Sequence, residues 1–303
     1  MKILVKMPFS SDEYIKSFPF IHALRQEYHK AQIYLITDDQ NKMLANFLVP
    51  LAVESYTLPE CERSILKLHR YAANLTEVFN INLYFDLEGT KASASLGKFF
   101  RVEKSIGPDR GLIKLLYDHA YTDRDALFLL ESFVDKSFTS QKVRGGVSHP
   151  IKDVLDLPDY FVLFPLHLDI PEIATMWESF INTFEDKTFV IWRNSTDDLV
   201  TPFADKLKKH NDVRVLLDDS LSKTEQFLIN AKAVFSDEKW PLLLSSYLAL
   251  DNFYLTQPGE PAIRTPWFHS SPRLIEWQKN GHHIIDGHET SDYIAKLEEI
   301  LHL

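Results

Sequence analysis

The chain has 303 residues, of which 45% are hydrophobic and 25% charged, a balance typical of a soluble globular protein with apolar cores. A chain of this length predicts two domains. The formal net charge of −10 argues against a nucleic-acid-binding protein, because such proteins normally present a basic face.

The compartment is indicated by three features. Cys61 is the single cysteine, so no disulfide forms within the chain, and a reducing compartment is expected. The N-terminal residues have no signal-peptide pattern, and no apolar run reaches the roughly 18–20 residues of a membrane-spanning helix. We therefore expect a cytoplasmic protein.

The first thirty residues predict the start of a doubly wound α/β domain. Residues 1–5 are apolar enough for a central parallel strand, residues 6–12 form a polar loop, and residues 13–28 have a helical pattern. In such domains the loop after the first strand faces the ligand crevice. This loop has no glycine, so it is not a dinucleotide fingerprint, and we predict neither NAD nor FAD.

The first half of the chain then alternates strands with helices, which predicts a parallel sheet covered on both faces. The predicted strands span residues 31–37, 52–58, 81–87 and 105–107, and the predicted helices span residues 41–48, 62–79, 91–100, 112–119 and 124–137. Residues 141–150 contain a Gly-Gly pair and a proline and predict a linker, with the domain boundary near residue 155.

The second half repeats this alternation. The predicted strands span residues 159–165, 188–192, 213–217, 233–236 and 253–256, and the predicted helices span residues 171–184, 199–210, 224–231, 241–249 and 291–301. The proline-rich residues 257–273 predict a loop over the crevice. We expect the C-terminal segment, residues 291–303, to pack back on the N-terminal domain.

Several segments of the chain resemble one known family. The first strand, loop and helix, with Ser-Phe-Pro-Phe at residues 17–20, are similar to the start of the heptosyltransferases, glycosyltransferase family 9. LYFDLEGTKASAS, at residues 83–95, resembles its Asp-Leu-Gln-Gly strand and loop. Residues 160–184 and 220–237 resemble segments of its second domain.

This resemblance implies an α/β protein with the GT-B architecture, in which two Rossmann-like, doubly wound domains face a cleft. Residues 1–155 would bind the acceptor and residues 156–303 the nucleotide-sugar. The implied reaction is inverting transfer of a heptose-like sugar, from an ADP-heptose-like donor to a lipopolysaccharide-type acceptor. It would occur at the cytoplasmic face of the inner membrane, which allows a peripheral membrane contact, and would need no metal or other cofactor.

Aligned on the family motif, Asp12 and Glu13 replace its Gly-Asp pair, so Glu13 is the candidate catalytic base, with Asp12 beside it. A helix start also favours acidic residues for electrostatic reasons alone, so this alternative stays open. Ser10, Ser11, Lys91 and Lys98 are candidate acceptor-binding residues, the lysines for an anionic acceptor or, alternatively, as a solvated face.

The candidate donor-binding residues follow strand ends of the second half. They are His167, Arg193, Asn194, Asp237 and Lys239. Cationic side chains in these places would hold a diphosphate. The family's Gly and His are missing from residues 237–242, where a glycine lets backbone amides approach a phosphate.

Two further functions stay open. The loss of the glycine favours a catalytically degenerate relative that binds a ligand or partner without turnover. A nucleotide-sugar epimerase with the GT-B fold is a weaker alternative. Release of nucleoside diphosphate that depends on substrate separates the enzymes from the binding protein.

Overall fold

The computed structural model describes residues 1–52, 54–59, 64–75, 80–122, 125–138, 142–145, 159–184, 187–193, 199–207, 212–217, 227–256, 261–278, 281–286 and 289–292. The chain divides into two compact units, Met1–Gly146 and Val147–Leu303. The boundary predicted near residue 155 and much of the predicted linker lie outside the described residues and stay predictions. Within the described part, no helix is long and apolar enough to cross a membrane.

Unit 1 is built on a parallel six-stranded sheet. Its strands are β1 (Lys2–Lys6), β2 (Gln32–Asp38), β3 (Glu54–Leu58), β4 (Leu83–Asp86), β5 (Lys104–Pro108) and β6 (His119–Tyr121). They lie in the order β3-β2-β1-β4-β5-β6. The first strand is therefore central, as predicted.

Six α-helices of unit 1 fall in the described residues. They are α1 (Ser11–Lys16), α2 (Phe18–Glu27), α3 (Lys42–Ala45), α4 (Ile65–Asn74), α5 (Lys91–Phe99) and α6 (Ala126–Val134). Short 3₁₀ segments span Asp39–Asn41, Asn46–Leu48 and Gly111–Leu116.

Two predictions for unit 1 are wrong. The helix predicted over residues 13–28 is two helices that meet at Ser17, because Pro19 cannot donate to the preceding turn and starts α2 instead. Ser17 Oγ donates a hydrogen bond to Tyr14 O across this break, at 2.6 Å. The helix predicted over residues 112–119 is a 3₁₀ segment followed by the edge strand β6.

Unit 2 has an eight-stranded mixed sheet. Its strands are β7 (Phe161–Phe164), β8 (Thr188–Arg193), β9 (Asp212–Leu217), β10 (Ala233–Ser236), β11 (Asn252–Thr256), β12 (Arg273–Gln278), β13 (Gly281–Asp286) and β14 (Glu289–Asp292). They lie in the order β14-β13-β12-β11-β10-β7-β8-β9. The last two strands pair antiparallel and the others pair parallel.

The described helices of unit 2 are α7 (Pro171–Thr183), α8 (Val200–Leu207) and α9 (Lys239–Tyr247). The predicted terminal helix is wrong at its start, because residues 291 and 292 belong to β14. Its remaining residues, 293–301, lie outside the described part. Of the helix predicted over residues 224–231, residues 224–226 also lie outside it, and residues 227–229 are helical.

Each sheet has its own apolar core. In unit 1, Leu4, Ile36 and Tyr84 of the sheet pack with Leu68 of α4 and Leu96 of α5. In unit 2, a larger aromatic core joins β7, β8, β10 and β11 to α7 and α8. It includes Phe161, Trp177, Phe180, Phe189, Phe235 and Phe253.

Both sheets reverse their strand order at one point, and this positions the candidate site. In unit 1 the reversal lies between β1 and β4, and in unit 2 it lies between β7 and β10. Ligands of open α/β sheets bind outside the carboxyl ends of the strands at such a reversal.

Candidate functional site

A buried lysine lies at the carboxyl end of β1. Lys6 is only 1% exposed. Its Nζ donates to Met7 O at 2.7 Å and to Asp38 Oδ2 at 2.6 Å, and it lies 2.5 Å from Glu88 Oε2. An ammonium group has three N–H donors, so these three acceptors match all of them.

A buried carboxylate, Asp86, ends β4 beside this lysine. Its Oδ1 accepts from the backbone N–H groups of Glu88 and Gly89, at 3.0 and 3.1 Å. Its Oδ2 accepts from Ser93 Oγ at 2.7 Å and Tyr117 Oη at 2.5 Å. Burial raises the pKa of Asp86, and the bonds from Tyr117 and Ser93 oppose that rise.

The turn after Asp86 depends on Gly89, whose φ is +68°. A Cβ at Gly89 would lie 2.5 Å from Pro108 Cγ and 3.0 Å from Arg110 Nη1. Thr90 then caps α5 in a reciprocal box with Ser93, in which each side chain accepts from the other residue's N–H. Because Thr90 caps the helix, the Glu88 side chain reaches Lys6 instead.

Several of these residues line a cavity of about 220 Å³ in unit 1. Its polar lining comes from Lys6, Asp38, Glu88, Thr90 and Ser93. Its apolar lining comes from Leu58, Leu68, Ala92 and Leu96. The arrangement presents carboxylate oxygens beside an aliphatic wall, at the end of the sheet where its strand order reverses.

The predicted catalytic loop is anchored to the second strand's end. Asn41 is fully buried and its Nδ2 donates to Phe9 O at 2.6 Å, while Ser11 Oγ donates to Asn41 Oδ1 at 2.7 Å. Ser10 precedes α1 and is exposed. The loop is therefore held in place by Asn41, which follows β2 in the chain.

Glu13 and Asp12 lie in the first turn of α1. The Glu13 side chain is 60% exposed, and its Oε1 accepts from Lys16 Nζ at 2.7 Å. Asp12 is half-buried. Neither residue belongs to the lining of the cavity, so the structure does not bring them together with Lys6 and Glu88 there.

Lys91 and Lys98 lie at opposite ends of α5, and both side chains are exposed. Neither lines the cavity. Their role in acceptor binding stays a prediction.

In unit 2, a second buried carboxylate follows β10 at the reversal of strand order. Asp237 Oδ1 accepts from Leu166 N at 2.9 Å, and its Oδ2 accepts from His167 N at 3.3 Å and Trp177 Nε1 at 3.0 Å. Burial raises the pKa of Asp237, and the bond from Trp177 opposes this most strongly. Asp237 therefore ties the end of β10 to the loop after β7.

Glu238 caps α9 with its own carboxylate. Its side chain accepts from Lys239 N at 3.1 Å, while its backbone N–H donates to Ser236 Oγ at 3.0 Å. His167 lies between the two acids, with Nδ1 3.5 Å from Asp237 Oδ1 and Nε2 3.3 Å from Glu238 Oε1. Lys239 is exposed. The predicted donor residues His167, Asp237 and Lys239 thus lie around one strand-end loop.

Arg193 is the last residue of β8, and Asn194 lies outside the described residues. Next to Arg193, Trp192 packs against Phe164 and Trp240, with ring centroids 5.4 and 5.7 Å apart. The Nε1 of Trp192 is buried and has no hydrogen-bond partner within the described residues. An aromatic group therefore lies at the same edge as the predicted donor residues.

The cavity residues Lys6, Asp38 and Glu88, and the neighbouring Asp86, were not predicted as site residues. Their signal is visible in the sequence, because a lysine interrupts an apolar first strand and acids end the apolar runs at residues 38 and 86. In a parallel sheet these positions meet at one edge.

Solved structures share this fold across most of the chain. E. coli heptosyltransferase WaaC with ADP-2-deoxy-2-fluoro heptose matches with a TM-score of 0.69 at 14% identity, over 93% of this chain and 95% of that chain. A glycosyl transferase family 9 protein from Veillonella parvula matches with a TM-score of 0.71 at 15% identity, over 91% of this chain and 86% of that chain. E. coli ADP-heptose LPS heptosyltransferase II matches with a TM-score of 0.69 at 16% identity, over 93% of this chain and 92% of that chain.

No protein-family model and no curated protein matches the sequence. The similarity is therefore one of fold. It confirms the predicted fold class, an α/β protein of GT-B type with two Rossmann-like units. At the level of fold it also confirms the predicted resemblance, since the chain has the architecture of the heptosyltransferases.

Proposed function

We propose that the protein is a glycosyltransferase that transfers a heptose-like sugar, with inversion, from a nucleotide-sugar donor to a lipopolysaccharide-type acceptor. The observation that carries the proposal is the cavity lined by Lys6, Asp38 and Glu88 at the strand-order reversal of unit 1. It lies in a chain that shares the fold of a heptosyltransferase over 95% of that enzyme's length. Unit 1 binds the acceptor and unit 2 binds the donor.

 The donor in this scheme is an ADP-heptose-like nucleotide-sugar, and the reaction uses no metal or other cofactor.

The chemistry requires a base that takes the proton from the acceptor hydroxyl. It also requires positively charged groups that stabilise the departing nucleoside diphosphate. Glu13 is the proposed base, with Asp12 beside it at the start of α1. The ion pair of Glu13 with Lys16 joins two exposed side chains, and such pairs hold a carboxylate only weakly. The Glu13 carboxylate is therefore available to accept a proton from an acceptor hydroxyl that binds near Ser10 and Ser11.

The departing nucleoside diphosphate would be held at the strand ends of unit 2. His167 and Lys239 supply cationic or hydrogen-bonding groups beside α9, and Arg193 ends the neighbouring strand β8. Asn194 follows Arg193 in the sequence. Asp237 acts here as a positioning residue, because its carboxylate fixes the backbone of Leu166 and His167.

A glycolipid acceptor would bring the protein to a membrane surface from the cytoplasm. The 3₁₀ segment Gly111–Leu116 supports this, because its Leu112 and Leu115 are 84% and 74% exposed. In a 3₁₀ helix, side chains three residues apart lie on the same face. Lys114 lies between these leucines and is exposed, which suits a surface with anionic headgroups.

The test of the mechanism is donor turnover by Glu13→Gln. With ADP-heptose and a lipopolysaccharide acceptor, we expect at least a hundredfold loss of ADP release, because general base catalysis contributes about 10²–10⁴-fold. Glu103→Gln, the same change at another exposed position of unit 1, is expected to keep the wild-type rate. Unchanged turnover in Glu13→Gln would remove Glu13 from the mechanism.

A second candidate function is a binding protein without turnover, and the cap of α9 favours it. Helix N-termini bind phosphates through free N–H groups, whereas here the Glu238 carboxylate accepts the N–H of Lys239. A thermal-shift screen with ADP, UDP, GDP, CMP and their sugar conjugates separates the two functions. The glycosyltransferase predicts a shift with one nucleotide and its conjugate. The binding protein predicts no shift with any of them at millimolar concentration.

A further inference from the structure

We propose that the cavity of unit 1 binds a single sugar ring that carries no phosphate or carboxylate. This inference rests on the proposed function, because it specifies the part of the acceptor that unit 1 recognises. It differs from the expectation of an anionic acceptor, which depended on Lys91 and Lys98.

The hydrogen-bond donors around the cavity are already used within the protein. The Lys6 ammonium has Met7 O, Asp38 and Glu88 as its three acceptors. The hydroxyl of Ser93 donates to Asp86 Oδ2 at 2.7 Å, and that of Thr90 has Glu88 Oε1 at 3.3 Å. An anionic ligand needs donors, and these three groups are committed elsewhere.

The same lining presents acceptors to a ligand. A carboxylate has about four acceptor sites. Within the described residues, Glu88 accepts from Lys6 at Oε2 and from Thr90 at Oε1, which leaves capacity on both oxygens. Asp38 contributes a second carboxylate to the lining. A ligand with several hydroxyl groups fits this lining, because each hydroxyl can donate to a carboxylate oxygen.

The charge and the volume of the cavity restrict the class of ligand further. Lys6, Asp38 and Glu88 together carry a formal charge of −1, which repels phosphate and carboxylate groups. The volume of about 220 Å³ is below the roughly 300–1,000 Å³ of pockets for drug-sized ligands, so it suits one ring. The aliphatic wall of Leu58, Leu68, Ala92 and Leu96 suits the C–H face of such a ring.

The direct test is saturation-transfer NMR on the full chain without any nucleotide. The probes are glucose, galactose and mannose, each compared with its own 6-phosphate. We expect saturation transfer to at least one of the three free hexoses, and at least tenfold weaker binding of its 6-phosphate. Equal or tighter binding of the phosphate, or no signal from all three hexoses at millimolar concentration, would overturn the proposal.

Two variants locate the binding. Ala92→Phe fills the cavity and is expected to abolish the hexose signal, whereas Ala120→Phe, the same change at an exposed position of β6, is expected to keep it. Glu88→Gln removes the net negative charge, so the discrimination against the 6-phosphate is expected to fall at least fivefold. An unchanged hexose signal in folded Ala92→Phe, or unchanged discrimination in Glu88→Gln, would contradict the assignment.

This test is independent of turnover. A failure of ADP release with intact, selective hexose binding would argue against the proposed reaction and leave the cavity assignment in place. ADP release with no hexose binding would support the proposed reaction and argue against the cavity assignment.

Discussion

The two strand-end loops at the reversals of strand order use the same residue types differently. In unit 1, Asp86 is buried, Glu88 follows two residues later, and Thr90 caps α5. In unit 2, Asp237 is buried and the next residue, Glu238, caps α9 itself. Both aspartates accept backbone N–H bonds, so both fix a loop at the end of a central strand.

Gly89 accounts for the difference between the loops. Its positive φ turns the chain so that a separate residue, Thr90, reaches the cap position. Glu88 is then free to lie beside Lys6 and line a cavity. The loop of unit 2 has no glycine, and its glutamate is used at the helix start. One glycine thus decides whether the acid lines a cavity or caps a helix N-terminus.

The largest expected effect is on the anchor of the unit 1 loop. Asp86→Asn keeps the shape but places an NH₂ donor against two other donors, so we expect it to lower the free energy of unfolding by about 3 kcal/mol. Urea denaturation measures this. Asp109→Asn, at an exposed ion pair with Lys114, is expected to cost less than about 0.5 kcal/mol. Equal effects of the two changes would show that Asp86 does not anchor the loop.

Gly89→Ala tests the feature that distinguishes the two loops, the positive φ of Gly89. We expect a loss of about 2 kcal/mol in the free energy of unfolding, because alanine is strained at positive φ and its Cβ meets Pro108. Gly111→Ala is the control, since Gly111 also has a positive φ but its added Cβ meets nothing within 4 Å. Urea denaturation that gives the same loss for both glycines would assign the effect to φ alone and refute the close contact.

Glu238→Ser makes the unit 2 loop more like that of unit 1, because serine caps a helix without a negative charge. If this loop binds the donor diphosphate, we expect the Kd for ADP, measured by titration calorimetry, to fall about tenfold, or about 1.4 kcal/mol. Glu172→Ser, in the first turn of α7, removes the same charge elsewhere in unit 2 and is expected to leave the Kd unchanged. Weaker or unchanged ADP binding in Glu238→Ser would place the diphosphate elsewhere.

Most of the fold could be predicted from the sequence, because apolar runs and helical spacing mark the strands and helices of both units. The errors came from local signals that compete with this periodicity. Pro19 divides the first helix, and the strands β12–β14 were missed although Asn280-Gly281 and Asp286-Gly287 are hairpin signals in the sequence.

The candidate site was harder to predict, because it depends on which strands are neighbours. Lys6, Asp38 and Glu88 are up to 82 residues apart in the sequence and meet only because β1 lies between β2 and β4. The lysines chosen from the sequence, Lys91 and Lys98, are exposed at the two ends of α5. A basic residue inside an apolar first strand was the more informative signal.

The two proposals together assign the sugar ring to the loop of unit 1 and the nucleotide to the loop of unit 2. Methyl NMR of the full chain, with ADP and a free hexose added in separate titrations, is the measurement that tests this assignment. We expect ADP to shift the methyl signals of Leu166, Leu168 and Leu242, and the hexose to shift those of Leu58, Leu68 and Leu96. ADP shifts confined to the cavity leucines, or no shift with either ligand, would contradict it.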